Sequence, residues 1–257
     1  MDVNSDLGES YGRYTLGNDQ VLMKYISSAN IACGFHAGDP SVMRHTIQWA
    51  KENDVGVGAH PGYLDLQGFG RRSMDMTPQE LEDFILYQLG AIAGFAKAAG
   101  VRVRHLKCHG ALGNDLHRFP REGKEEIVKA VGRAVLEFDP DIVLVGFAAS
   151  DMVAIWREMG LKAADEIFAD RAYNPDLTLV SRRVPGAVIT DPGEVVARVL
   201  AMVKTKSIMA VDGRVVKDVP MDTICIHGDT PTAVDLARQL KERFDQEGIE
   251  VRAFEGR

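Results

Sequence analysis

The stretch Ala29-Asn30-Ile31-Ala32-Cys33-Gly34-Phe35-His36-Ala37-Gly38-Asp39-Pro40 contains a complete transition from a strand to a helix. Residues 29–35 form a mostly apolar run of strand length, without the alternation of a half-exposed strand. Asp39 and Pro40 are typical of a helix start, with aspartate as N-cap and proline in the first turn. His36 lies between them, so a side chain suited to acid–base or metal chemistry directly follows a buried strand.

The same order of elements recurs along the chain. Further helix starts are indicated at Thr77-Pro78-Gln79-Glu80, Asp191-Pro192-Gly193-Glu194 and Thr230-Pro231. The predicted strands are 2–7, 29–35, 55–59, 103–108, 142–147, 163–168, 207–211 and 223–226. Seven or eight alternations of strand and helix predict a parallel sheet with helices outside, either doubly wound or closed into a barrel.

The positions of polar residues distinguish these two arrangements. A doubly wound sheet collects its ligand-binding residues from two or three strands, whereas a barrel brings all strand ends to one mouth. Here at least six strands end in acid, base or metal-ligand residue types. We therefore predict an α/β fold, a single TIM-like (β/α) barrel over residues 1–257, with a seven-stranded or distorted form left open.

Composition and charge exclude several classes of protein. The 257 residues include 30 Lys and Arg against 37 Asp and Glu, a net charge of −7 without a basic patch, so we expect no nucleic-acid partner. The N-terminus is polar and no apolar run approaches about 18 residues, so we expect no membrane partner. Three scattered cysteines without a CxxC motif favour a reducing compartment, and we expect a cytoplasmic protein.

Four of the seven histidines follow predicted strands, and each has a glycine within two residues: His36, His60, His109 and His227. A single such histidine is more often a hydrogen-bonded loop residue, but the recurrence at four strand ends favours a functional set. Lys107 and His109 are two residues apart on one strand, so they face the same side. We expect that side to be the mouth or lumen of the barrel.

Other readings of these polar residues stay open. Asp39 and Asp229 could be helix caps near the prolines that follow them. Asp6 and Glu9 could form a solvated turn. The pair Arg71-Arg72 could lie in a solvated loop or reach over the mouth to bind an anion.

The residue types allow two kinds of chemistry. A divalent metal could be held by Asp6, His36 and His60, and such a set can activate water. Without a metal, Asp6 or His109 could act as general base while Lys107 stabilises a developing negative charge. The sequence contains no Walker A motif, no GxGxxG after a strand and no GxSxG.

Six strings in order along the chain resemble the LamB/YcsF family. They are Asp2-Val3-Asn4-Ser5-Asp6-Leu7-Gly8-Glu9, the stretch 29–40, Gly58-Ala59-His60-Pro61-Gly62, Gly68-Phe69-Gly70-Arg71-Arg72, Glu166-Ile167-Phe168-Ala169-Asp170-Arg171 and Ile226-His227-Gly228-Asp229-Thr230-Pro231. The resemblance covers essentially the whole chain. It departs where the family usually has Lys-Pro-His-Gly-Ala-Leu-Tyr-Asn, because Cys108 and Gly113 replace the proline and the tyrosine.

The resemblance implies a barrel similar to those of the glycoside hydrolase/deacetylase superfamily. It also implies a subunit of ATP-dependent 5-oxoprolinase, which converts 5-oxo-L-proline, ATP and two waters to L-glutamate, ADP and phosphate. Two partner subunits, of B and C type, would complete the enzyme. Since no phosphate-binding motif is visible, we expect the co-substrate ATP to bind largely on a partner subunit.

The matching positions then give a set of candidate site residues. The expected catalytic residues are Asp6, Lys107, His109, Glu166 and Arg171. The expected substrate-binding residues are His36, His60, His227, Asp229 and, as an anion clamp, Arg72. Two other functions remain as alternatives: a metal-dependent deacetylase or hydrolase of an N-acyl sugar on the same barrel, and a non-catalytic subunit that binds a small acidic ligand.

Overall fold

The computed structural model of the chain describes residues 1–228 and 231–254. Within these ranges, seven parallel strands close a barrel in the order in which they occur along the chain. They are β1 (Asp2–Leu7), β2 (Ser28–Ala32), β3 (Gly56–His60), β4 (Val103–Lys107), β5 (Val143–Phe147), β6 (Ala163–Phe168) and β9 (Thr223–Ile226). The predicted TIM-like barrel is confirmed in its seven-stranded form, while its extent as one domain over residues 1–257 stays a prediction.

Helices surround the barrel, and the predicted helix starts at Pro40, Pro78 and Pro192 are confirmed. The start predicted at Thr230-Pro231 is displaced, because the helix there begins at Ala233 and Thr230 lies outside the described residues. They are α1 (Asp19–Leu22), α2 (Pro40–Glu52), α3 (Pro78–Ala99), α4 (Gly110–Arg118), α5 (Glu125–Phe138), α6 (Asp151–Glu158), α7 (Pro192–Thr205) and α8 (Ala233–Gln246). The carboxylate of Asp39 accepts hydrogen bonds from two backbone N–H groups of α2, which confirms its role as a cap. None of the helices in the described ranges has the length and apolarity that a membrane crossing requires.

One predicted strand lies outside the barrel. Of residues 207–211, only Ile208–Met209 is extended; it forms β7, which pairs antiparallel with β8 (Val215–Val216). The side chain of Met209 is 65% exposed, so this segment lacks the burial on both faces that barrel strands have. The barrel instead closes by direct pairing of β6 with β9, and the prediction of a buried strand at 207–211 was wrong.

The apolar core lies between the strands and the helices. On α3 the residues Leu81, Ile85, Leu89 and Ile92 are almost completely buried, at the spacing of one helix face. Each side chain of this kind stabilises the fold by about 1.5–3 kcal/mol relative to exposure. This shell fixes the strands, and the inside of the barrel is therefore free to carry polar groups.

The lumen of the barrel is polar, unlike the packed Val, Ile and Leu layers usual in such barrels. Asn4 on β1 donates to the hydroxyl of Thr223 (2.6 Å) and accepts from Asn30 (2.7 Å). Nε2 of His105 donates to Oδ1 of the same Asn30 at 2.7 Å, and the ring occupies space that a side chain at Gly58 would fill. This hydrogen-bonded column supports the groups at the carboxyl ends of the strands.

Candidate active site

A cavity opens at the mouth, at the carboxyl ends of the barrel strands. It encloses about 570 Å³ of empty volume, part of it open to solvent. The polar residues that line it include Asp6, His60, Lys107, Glu166, Arg171 and His227. They come from β1, β3, β4, β6 and β9 or from the loops that follow, while β5 contributes an apolar wall through Val145 and Phe147. The convergence of strand ends that favoured a barrel is present.

Lys107, the last residue of β4, lies at the base of this cavity. Its Nζ is 2.8 Å from Oε1 of Glu166, 3.0 Å from Oδ1 of Asp6 and 3.0 Å from Sγ of Cys225. Burial opposes the charge of this lysine, but Asp6, Cys225 and Glu166 hold its pKa well above the usual value. Lys107 is therefore a fixed ammonium ion, suited to stabilising negative charge and unsuited to accepting a proton.

Asp6 connects this ammonium ion to the neighbouring histidines. Its Oδ1 accepts from Lys107 and from Asn30 (2.9 Å), and its Oδ2 lies 3.4 Å from Nε2 of His60. Burial alone would raise the pKa of Asp6, yet its contact with His60 and the charge of Lys107 hold it well below its usual value. The carboxylate is thus ionised and only 15% exposed, and the expectation of a solvated turn is wrong for it.

Four buried side chains form a second cluster beside Asp6, which we call the histidine cluster: Glu9, His36, His60 and His109. Each side chain offers one ligand atom, and these four atoms all lie within 4.8 Å of one another. The set could therefore hold a metal ion. Oε1 of Glu9 is 3.0 Å from Nε2 of His36 and 3.1 Å from Nδ1 of His109. Burial lowers the pKa of His36 to about 3, so this ring is neutral near pH 7.

The histidine cluster differs in membership from the expected metal set. His36 and His60 belong to the cluster, but Asp6 is replaced there by Glu9 and His109. The reason is electrostatic, since the Asp6 carboxylate is drawn towards the ammonium of Lys107. Glu9 reaches the cluster because Gly8, at a φ of +69°, turns the chain back over the mouth.

Two glycines make room for the cluster. A Cβ on Gly62 would lie 2.6 Å from Nδ1 of His36, and a Cβ on Gly70 would lie 2.7 Å from the Cβ of His36. The ring of His36 stacks on that of His109, with the centroids 3.7 Å apart and the planes 4° from parallel. The backbone at these two glycines therefore packs directly against the imidazoles and fixes their positions.

On the opposite side of the cavity, His227 is oriented by Asp170. Nδ1 of His227 donates to Oδ1 of Asp170 at 2.8 Å, so a neutral ring held in this way would carry its proton on Nδ1. Burial raises the pKa of Asp170, but the hydrogen bond and charge of His227 outweigh it and lower the pKa. A carboxylate behind an imidazole is the arrangement that general acid–base catalysis uses.

A family model described as the LamB/YcsF family matches residues 1–257. The chain belongs to this family. A protein from Pyrococcus horikoshii that is named as the A subunit of 5-oxoprolinase is 54% identical over 251 residues, which is 98% of this chain and 96% of that protein. The protein of the same name from Fusobacterium nucleatum is 47% identical, over 99% of this chain and 96% of its own length.

Solved structures extend the comparison for this LamB/YcsF chain. The crystal structure of a lactam utilization protein from Thermus thermophilus superposes with a TM-score of 0.91 at 42% identity, covering 99% of both chains. The catalytic domain of a peptidoglycan N-acetylglucosamine deacetylase from Eubacterium rectale reaches a TM-score of 0.52 at 13% identity, over 98% of this chain and 88% of that one. The second likeness shows a shared fold, as expected for a barrel similar to deacetylases.

The two adjacent arginines of this LamB/YcsF chain lie differently from expectation. Arg72 was expected to bind an anion at the mouth, but its side chain is 62% exposed and its guanidinium pairs with Asp65. Arg71 lines the cavity instead. Arg171 also lines the cavity; it is buried, and its guanidinium donates to the carbonyl oxygen of Val180 at 2.7 Å.

Some site positions were missed from the sequence, and one lies outside the described residues. Glu9 and Asp170 were not chosen from the sequence as site residues, although each lies within three residues of a strand end. Asp229, expected to bind substrate, lies outside the described residues. Cys108 and Gly113, the two departures from the usual LamB/YcsF string, both line the cavity, and a Cβ at Gly113 would lie 2.7 Å from the carbonyl oxygen of Cys108.

Proposed function

We propose that this chain is the A-type component of an ATP-dependent 5-oxoprolinase, which opens 5-oxo-L-proline to L-glutamate. The proposal rests chiefly on one observation: a buried ammonium ion, Lys107, between two carboxylates in a cavity where an amide oxygen could bind. Identity of 54% over 98% of the chain to a protein named as a 5-oxoprolinase component supports the choice of substrate.

The chemistry of the ring explains the need for ATP. An unstrained lactam resists hydrolysis, so the amide oxygen is first phosphorylated by the γ-phosphate of ATP and ADP leaves. One water then adds to the carbonyl carbon and loses a proton, and the C–N bond breaks as the nitrogen takes up a proton. The γ-glutamyl phosphate that results is hydrolysed by a second water to L-glutamate and phosphate. Atoms balance to one lactam, one ATP and two waters.

Each polar group around the cavity has a role in the ring-opening half of this sequence. Lys107 stabilises the charge that develops on the oxygen of the attacked carbon, because its ammonium is already fixed there. His227, oriented by Asp170, takes the proton from the attacking water and returns it to the departing nitrogen. Asp6 accepts a hydrogen bond from that water, while Arg71 and Arg171 bind the carboxylate or the phosphoryl group.

His109, Glu166, His36 and His60 take other parts in this proposal. Glu166 holds Lys107 in place through its 2.8 Å ion pair. His60 forms part of the cavity wall, whereas His36 and His109 lie behind it and do not contact substrate. His109 is thus not the general base in this scheme, which differs from the expectation drawn from sequence.

The proposal also includes partners and a compartment. The relatives are named as subunits, which supports an assembly, and we assign two further subunits, of B and C type, to it. ATP binds largely on these partners, which pass the activated lactam to the cavity of this chain. A reaction that consumes ATP fits the cytoplasm, as do three free and buried cysteines.

The test measures glutamate released from 5-oxoproline by this chain alone, by its partner subunits alone, and by all together, each with and without ATP. We expect glutamate only in the complete mixture with ATP, with one phosphate released for each glutamate. Glutamate release by the complete mixture at the same rate without ATP would contradict the coupling. No release in any mixture would contradict the assignment to a 5-oxoprolinase.

A second candidate function is the metal-dependent hydrolysis of an N-acyl sugar. The histidine cluster and the fold shared with a deacetylase favour it. It predicts ATP-independent release of acetate from N-acetylated sugars and loss of that activity with a chelator. Acetate release of this kind by the chain alone, with no glutamate from the complete mixture, would replace the first proposal by the second.

A further inference from the structure

We propose that the histidine cluster is a resident metal centre, in which Glu9, His36, His60 and His109 bind one divalent transition-metal ion. The four ligand atoms lie within 4.8 Å of one another, and all four side chains are buried. Small movements would bring them into the first coordination sphere of one ion. The metal content can be measured whether or not the chain opens a lactam.

The hydrogen bonds of two rings determine which nitrogens carry protons. Nδ1 of His60 lies 2.7 Å from the carbonyl oxygen of Lys107, and Nε2 of His109 lies 2.8 Å from that of Phe69. A carbonyl oxygen can only accept, so both of these nitrogens are N–H donors. In the neutral rings, Nε2 of His60 and Nδ1 of His109 therefore carry lone pairs.

These two lone pairs point at each other. Nε2 of His60 and Nδ1 of His109 are 3.0 Å apart, and Oε1 of Glu9 is 3.1 Å from the latter. Three acceptors at such distances repel one another unless a cation lies between them. The carbonyl oxygens behind the rings are the outer partners that fix a metal-binding histidine in its tautomer.

Glu9 is better placed than Asp6 to be the carboxylate ligand of this metal centre. Asp6 lies 3.4 Å from Nε2 of His60, but its other oxygen is held at 3.0 Å by the ammonium of Lys107. Glu9 has no lysine or arginine within salt-bridge distance in the described part of the chain and contacts only histidines among the basic residues there. Glu9 is therefore the carboxylate whose negative charge a bound metal ion would balance.

The donor set selects the class of metal. Three imidazoles and one carboxylate suit Zn²⁺ and other divalent ions of the first transition series, and they do not suit Ca²⁺ or Mg²⁺, which prefer oxygen ligands. Four protein ligands also close a tetrahedral site, as in structural zinc centres. The ion would then fix His60 and, through it, the wall of the cavity that Asp6 shares.

The experiment measures metal bound to the purified full-length chain. The protein is stripped with a chelator and titrated with Zn²⁺, and separately with Co²⁺, whose tetrahedral complexes absorb strongly in the visible range. The wild-type chain is compared with Glu9→Gln and with Asp6→Asn, a matched pair of changes that each remove one carboxylate charge. Circular dichroism checks that both variants are folded.

We expect one Zn²⁺ per chain, a tetrahedral cobalt spectrum and a rise in melting temperature on metal addition. Glu9→Gln should weaken Zn²⁺ binding at least about 100-fold, beyond the usual cost of changing an outer-shell partner, while Asp6→Asn should change it less than about 10-fold. Binding of no metal by the wild-type chain would overturn the proposal. So would loss of binding in Asp6→Asn with binding retained in Glu9→Gln. If Glu9→Gln does not fold, His109→Gln takes its place.

Discussion

The two halves of the mouth differ in the positive charge that lies beside their carboxylates. On one side, the carboxylates of Asp6 and Glu166 flank an ammonium ion that the chain itself provides, Lys107. On the other side, the histidine cluster gathers a carboxylate and three imidazoles around no lysine or arginine in the described part of the chain. Buried polar groups need partners. One half is therefore complete by itself, and the other is built for a cation from outside.

The largest effect should come from removing the internal cation. Lys107→Met leaves the buried carboxylate of Glu166 and the mostly shielded one of Asp6 without their counterion, so we expect the free energy of unfolding to fall by about 3–5 kcal/mol. Glutamate release by the reconstituted enzyme should fall by about 10³-fold or more, since a donor to the developing oxyanion is lost. Chemical denaturation and the glutamate assay measure the two effects separately.

A second substitution distinguishes the two roles of Lys107. Adding Glu166→Gln to Lys107→Met removes one of the unpaired charges, and we expect stability to recover in part while activity does not. Lys129→Met, a change of the same kind at a partly exposed lysine on α5, should leave both close to wild type. Recovery of activity along with stability would show that Lys107 acts only as a counterion.

The next effect concerns the pair His227 and Asp170. Asp170→Asn would replace one of the two carboxylate oxygens that accept from Nδ1 of His227 with an amide NH2 donor, which favours the tautomer with its proton on Nε2. We expect kcat to fall about 10²-fold, the usual contribution of a positioned acid or base, with little change in melting temperature. The kcat of the reconstituted enzyme is measured against pH. An unchanged rate and profile in Asp170→Asn would remove His227 from the proton-transfer step.

The sequence predicted the barrel, but it did not predict that one half of the mouth is built around Lys107 and the other around the histidine cluster. The barrel follows from the number of strand ends that carry polar residues, a property of local pattern. The position of Glu9 depends on the turn angle at Gly8, and the outward direction of Arg72 depends on Asp65, seven residues earlier. Contacts of this kind are set by three-dimensional packing, so a list of candidate residues could not assign Asp6 to Lys107 and Glu9 to the histidines.

The polar column in the lumen supports both halves of the mouth. Asp2, at the end of the column away from the mouth, should lose its proton as the pH rises. Burial raises the pKa of Asp2 to about 6, although Ser27, Ser28 and Thr223 donate hydrogen bonds to it. Because the folded chain binds this proton more tightly, its contribution to stability is full below the usual aspartate pKa of 3.8 and is lost as the pH rises through about 6.

Asp2→Asn should therefore flatten the dependence of stability on pH in that window. The difference between wild type and variant should change by at most about 3 kcal/mol between pH 4 and pH 7, measured by urea unfolding. Asp19, whose pKa burial also raises to about 6, stays intact and should preserve a residual slope. Parallel stability curves for wild type and Asp2→Asn would contradict the raised pKa of Asp2.

The smallest effect tests how tightly the backbone holds the histidine cluster. Gly62→Ala would place a Cβ 2.6 Å from Nδ1 of His36, whereas Gly90→Ala on α3 meets no atom within 4 Å. We expect Gly62→Ala to weaken Zn²⁺ binding about 10-fold, at the low end of changes to outer partners, by displacing one imidazole. Gly90→Ala should leave Zn²⁺ binding unchanged and raise stability by up to about 1 kcal/mol, because alanine is the better helix former. Since Lys107 lies on the other half of the mouth, its ion pairs should persist in both variants. Equal Zn²⁺ affinity in the two variants would mean that the imidazoles move independently of the loop that packs on them.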